Sequence, residues 1–130
     1  MKKQELSDSY YKNVLVLAYL GDSVFTLMVR QHLVKNHNLK ARELNKIANT
    51  VVCAKNQAEL MTKLKDGLSE DESDIVMRAR NSHINSKAKH STLQEYSLAT
   101  QFEALVGYWY LNGDFKKLDQ MFDKYVKEKL

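Results

Sequence analysis

The 130-residue sequence has no proline, four glycines and one cysteine. With nothing in its own chain to pair with, Cys53 excludes a disulfide framework and fits a reducing compartment. No glycine-rich phosphate loop and no Gly-x-Ser-x-Gly elbow is present, which removes the commonest nucleotide-cradling and serine-hydrolase signatures. The four histidines do not fall at paired ligand spacings, and the lone cysteine adds nothing to them, so a zinc enzyme is excluded. The longest apolar run, Val14 to Val29, is broken by Asp22 and Ser23 and falls short of the ~20 residues a membrane span requires. Lys2 and Lys3 precede it, but Glu5 and Asp8 intervene and no small-x-small cleavage site follows. The expectation is a cytoplasmic chain with no membrane partner.

Hydrophobic residues make up 44% and charged residues 28%, the balance of a globular chain, and the length fits one domain over residues 1–130. The net charge of +4 is a mild excess that suits a polyanionic partner without requiring one. Long 3.6-residue periodicity and the missing proline predict an all-α fold. A first helix is expected over about 12–36, with Val14, Leu17, Ala18, Val24, Phe25 and Met28 on its apolar face. A second is expected over about 40–66, ended by a left-handed Gly67. Ser69 and Glu72 have capping-box spacing and open a third helix reaching about Arg80; Glu70, Asp71 and Glu72 then sit at its positive end and need no catalytic role. Residues 81–93 read as a surface loop. A fourth helix follows over about 94–111, through Leu98, Phe102, Leu105, Val106 and Trp109. Asn112-Gly113-Asp114 stops it and caps a last helix over about 115–129. Cys53, in Val51-Val52-Cys53-Ala54, is expected to be a small core residue.

Two carboxylates stand out by their company. Asp22 lies mid-helix with Ala18, Tyr19, Phe25 and Thr26 three and four positions away, and no base among them. Asp is a poor helix-interior residue, and Gly21 beside it costs about 1 kcal/mol more than alanine, so two local rules are broken together. Glu103 repeats the pattern among Ala99, Thr100, Val106 and Gly107. A carboxylate among apolar groups must find a cation, a donor network or a proton. Facing each other across packed helices, the two acids suit Mg²⁺, which is held by one or two carboxylates plus water and phosphate oxygens. The alternative is an ion pair with a distant base such as Arg30 or Arg42. From Arg78 to His90 the chain holds Arg78, Arg80, Lys87 and Lys89 and no acid, which suits contact with a phosphate backbone. A plain solvated loop is the competing reading.

Leu17-Ala18-Tyr19-Leu20-Gly21-Asp22-Ser23-Val24 resembles the signature helix of the ribonuclease III catalytic domain. Phe102-Glu103-Ala104-Leu105-Val106-Gly107-Tyr108 resembles its second catalytic segment, in the same order and about eighty residues on. The likeness spans essentially the whole chain with no double-stranded-RNA-binding domain after it, and Arg78-Ala79-Arg80-Asn81 is similar to the stand-alone branch, the Mini-ribonucleases III. The resemblance implies a Mg²⁺-dependent homodimeric endoribonuclease that cuts double-stranded RNA and trims the 23S ribosomal RNA precursor, with room for a ribosomal helper protein. It implies that Asp22 and Glu103 are the catalytic, metal-holding acids and that Tyr19 plugs into the partner subunit; Gly21 beside it is assigned to the same dimer interface, where backbones approach closely. Two departures are visible: the larger enzymes have a glutamate where this chain has Ala18 and an aspartate where it has Thr100. A non-catalytic helical RNA-binding or ribosome-associated module, and a helical protein adaptor, remain the competing functions.

Overall fold

A computed structural model describes residues 13–82 and 92–130. These form six α-helices and no strand: α1 (Val14–Asn36), α2 (Ala41–Val52), α3 (Ala54–Leu64), α4 (Glu70–Asn81), α5 (Leu93–Leu111) and α6 (Phe115–Tyr125). Short 3₁₀ turns, Lys65–Gly67 and Lys127–Lys129, follow α3 and α6. The all-α expectation holds, and the helix boundaries agree closely except in the second helix.

α5 is the axle of the fold. Ten of its residues, from Ala99 to Trp109, are buried on every side, as expected of a helix apolar all round. α1 lies along it antiparallel, Leu17 opposite Gly107 and Gly21 opposite Glu103, and α3 and α4 cover its other faces. The core holds Leu17, Phe25, Val29, Leu33, Leu60, Met61, Ile75, Phe102, Leu105 and Val106, with Phe25 and Phe102 edge-to-face at 4.9 Å between ring centres. At 23 residues, α1 is long and apolar enough by length and composition alone to cross a membrane, which the apolar run by itself is not. Its buried residues, from Val14 to Leu33, belong to this core.

The second helix is two helices. Cys53 adopts an extended conformation (φ −71°, ψ 157°) between α2 and α3 and is exposed, so it is not the core residue its apolar neighbours predict. The Asn56 side chain holds the break, donating to the Val51 carbonyl at 2.7 Å, while Lys129 donates to the Asn56 Oδ1. Gly67 is not left-handed: the chain leaves α3 through a 3₁₀ turn into extended Leu68. The left-handed stop is at Gly113 (φ 76°), as expected after α5. Asp114 does not cap α6 with its side chain; its carboxylate accepts from the Asn112 amide at 2.8 Å instead.

The capping box at α4 is present in both directions. The Ser69 hydroxyl accepts from the Glu72 N–H at 3.2 Å, and Glu72 Oε1 accepts from the Ser69 N–H at 2.8 Å. Glu72 is also buried, and its other oxygen accepts from Trp109 Nε1 at 2.6 Å and from Lys117. This carboxylate pins α4, α5 and α6 together.

Candidate active site

The geometry of the site begins with two glycines. A Cβ built on Gly21 would fall 1.7 Å from the Glu103 carbonyl oxygen, and one built on Gly107 would fall 2.0 Å from the Leu17 carbonyl oxygen. Only hydrogen at both positions lets the backbones of α1 and α5 touch. The close approach of Gly21 is to the Glu103 backbone of its own chain. Tyr19, on the neighbouring face of α1, is 82% exposed.

That crossing places Asp22 beside Glu103. Asp22 is exposed and Glu103 is half-buried, so only the second acid matches the expectation of a carboxylate set among apolar groups. Burial raises the Glu103 pKa to about 8, helped by a hydrogen bond with Asp22 and by the charge of Asp22. Among the described residues the ion pairs are Arg78–Asp74, Lys117–Glu72 and Lys129–Glu59, none of which involves Asp22, Glu103, Arg30 or Arg42. The ion-pair alternative therefore finds no support. Two neighbouring carboxyl groups, next to solvent and with no base paired to them among the described residues, suit a hard divalent cation, whose charge would satisfy both. The donor set is lean. Ala18 offers no oxygen, and the buried Thr100 hydroxyl donates to the Tyr96 carbonyl at 3.1 Å. No group of three or more metal-ligating side chains occurs among the described residues.

The basic segment is divided. Arg78 Nε lies 3.1 Å from Asp74 Oδ2 one turn back on α4, so its charge is already engaged by an acid outside the acid-free stretch. Arg80 is exposed and, with Lys65, edges a cleft of about 740 Å³ floored by Met61, Leu68 and Leu98. Lys87 and Lys89 lie outside the described residues. Sequence reading missed the role of Gly107: a glycine four residues after Glu103 was the visible signal, but its pairing with Gly21 appears only in three dimensions.

Comparison with known proteins bears on the same residues. Residues 15–114 match the Ribonuclease III domain family, a span that contains both acids and both glycines. The chain is 41% identical over 122 residues to a Mini-ribonuclease 3 of Brevibacillus brevis, covering 93% of this chain and 91% of the relative. It is 42% identical over 113 residues to that of a Thermoanaerobacter species, covering 87% and 80%. A crystal structure of a Fusobacterium nucleatum protein superposes with a TM-score of 0.83 at 30% identity, covering 91% of this chain and 94% of that one. The chain belongs to the ribonuclease III family, in its Mini-ribonuclease 3 branch, and is an endoribonuclease.

Proposed function

We propose that this endoribonuclease is a Mg²⁺-dependent homodimer of the cytoplasm that cuts double-stranded RNA and matures the ends of the 23S ribosomal RNA precursor. One observation carries the metal: Asp22 and Glu103 are brought together with no base paired to either among the described residues, and burial with the neighbouring Asp22 raises the Glu103 pKa to about 8. Both would hold the ion. When bound, Mg²⁺ supplies Lewis acidity that lowers the pKa of a water and offsets charge on the phosphodiester. The chain's own part is to bring two oxygens to one point on rigid helices. Asp22, exposed, faces solvent from which phosphate would arrive, and Glu103 would hold the ion in its deprotonated form. No side-chain nucleophile is required, which agrees with the absence of any triad signature.

Duplex RNA is read by shape and backbone, so Arg80, Lys87 and Lys89, the cations of the stretch other than the Asp74-paired Arg78, are chemically sufficient to grip it. Two strands of opposite polarity are cut together by two sites related by a two-fold axis, which supports the dimer. The deciding test incubates purified protein with long duplex RNA and with a 23S precursor stem, in Mg²⁺ or in EDTA. Cleavage in Mg²⁺ that stops in EDTA is expected; metal-independent cutting overturns the metal assignment, and cutting of single strands alone overturns the substrate.

A further inference from the structure

The two acids sit on helices that pack through side chains such as Phe25 and Phe102 but whose closest approach is backbone on backbone. At an ordinary helix crossing, interdigitated side chains keep axes about 8–10 Å apart, and changing one residue lets the others adjust. Here backbone meets backbone, Gly21 against the carbonyl of Glu103 and Gly107 against the carbonyl of Leu17. The arrangement is reciprocal, so it blocks both closer approach and sliding along either axis. Asp22 and Glu103 follow directly from it: one adjoins Gly21 in sequence, and the other bears the carbonyl that Gly21 touches.

We propose that Gly21 and Gly107 are positioning residues whose reciprocal crossing fixes the gap between the Asp22 and Glu103 carboxyl groups and so makes one cation site from two helices. This rests on the reading of that pair as the metal-holding acids. A lean site depends on such a device. With Ala18 and Thr100 at the positions where larger relatives place acids, no additional carboxylate there takes up the slack if the helices part. A methyl group at either glycine must push the backbones apart, and a displacement near 1 Å is enough to cost roughly 100-fold in a reacting constellation.

The test uses RNA-free protein and reads Mn²⁺ binding by electron paramagnetic resonance beside thermal unfolding. Gly107→Ala is expected to bind Mn²⁺ about 10- to 100-fold more weakly, the range seen when groups that orient metal ligands are altered. Ile75→Ala, a truncation buried on α4 rather than on either crossing helix, is the stability control: it lowers the melting temperature and keeps wild-type Mn²⁺ affinity. Adding Asp22→Glu to Gly107→Ala restores part of the missing affinity, because a longer side chain spans a wider gap. Wild-type affinity in a folded Gly107→Ala protein overturns the proposal. If that variant does not fold, Glu103→Asp decides with both glycines intact: a fixed gap leaves the shortened acid out of reach and affinity falls, whereas undiminished binding overturns the proposal. Should Asp22→Asn bind Mn²⁺ as tightly as the wild type, the metal-holding pair itself is wrong, a failure distinct from that of the glycines.

Discussion

At the scale of single residues, two carboxylates are pushed in opposite directions by what surrounds them. Glu103 is raised by burial and by Asp22. Glu72 is buried as well, and burial alone would raise it. Hydrogen bonds from Lys117, the Ser69 N–H and Trp109, with the Lys117 charge, outweigh that burial and hold it below the usual carboxylate range. One has no cation paired to it among the described residues, and the other has Lys117. Asp22→Asn removes a charge and Glu103→Gln removes a carboxyl group able to exchange its proton for a cation, both with shape kept, so each is expected to abolish Mg²⁺-dependent cleavage while leaving the helical circular dichroism spectrum unchanged. An Asp22→Asn protein that cuts at the wild-type rate would falsify the catalytic assignment. Glu72→Gln is expected to cost about 1–3 kcal/mol at neutral pH, as for a charged partner removed from a buried network. The sign of its pH dependence follows from a folded-state pKa lowered below the unfolded value. The contribution of Glu72 is complete above the unfolded carboxylate range and is lost as pH falls through the folded pKa. Urea melts at pH 7 and in acid therefore separate wild type from variant at pH 7 and bring them together in acid.

At the scale of helices, what could be read in the sequence was what short-range chemistry decides. The capping box at Ser69 and Glu72 is a spacing of three residues, and the stop at Gly113 is one residue's conformational freedom; both are visible locally. The break at Cys53 is not, because no proline or glycine marks it and its support comes from Asn56 and from the distant Lys129. The candidate acids were legible as pairs of broken rules, an acid and a glycine in each of two apolar helices. That the glycines answer each other across the crossing was not, since periodicity within one helix carries no information about which helix it meets. The helix break makes a prediction of its own. Asn56→Ala leaves the Val51 carbonyl without its donor, and a loss of about 1–3 kcal/mol is expected in chemical denaturation. Cys53, exposed at the break, is expected to react with a thiol reagent in the native protein, and Cys53→Ser to change stability by less than about 0.5 kcal/mol. A thiol that reacts only on unfolding would place Cys53 back in the core.

At the scale of the molecule, α1 has two unlike sides. One is packed on α5; the other exposes Leu15, Val16, Tyr19, Leu27 and Val34, more apolar surface than a helix left in water ordinarily shows. We place the subunit interface of the proposed dimer on that side. Tyr19→Asp is expected to shift the sedimentation coefficient from dimer to monomer at micromolar concentration, with little change in helical content and with loss of duplex cleavage. A monomeric wild type with full activity sinks the dimer. The RNA grip is tested by charge removal on a cleavage-dead background. Arg80→Ala, and Lys87→Ala with Lys89→Ala, should each weaken duplex binding regardless of sequence. Removing one phosphate-binding cation flattens the slope of log affinity against log salt by roughly 0.7–0.9. An unchanged slope in anisotropy titrations returns the segment to a solvated connection.

The distance along the chain between the two acids has a consequence during synthesis. Asp22 emerges first, but Glu103 and Gly107 follow only after about eighty further residues, and nothing within α1 can substitute for them. Loop closure over that span precedes any reward from the α1–α5 crossing, which cannot form before α5 has been made. A nascent chain that has released α1 but not α5 from the ribosome therefore carries half of the proposed site. With Asp22 and Glu103 as the proposed catalytic pair, an enzyme that acts on RNA is silent beside the RNA-rich machine that makes it until its second acid has been translated and docked, and the switch is the order of its own helices.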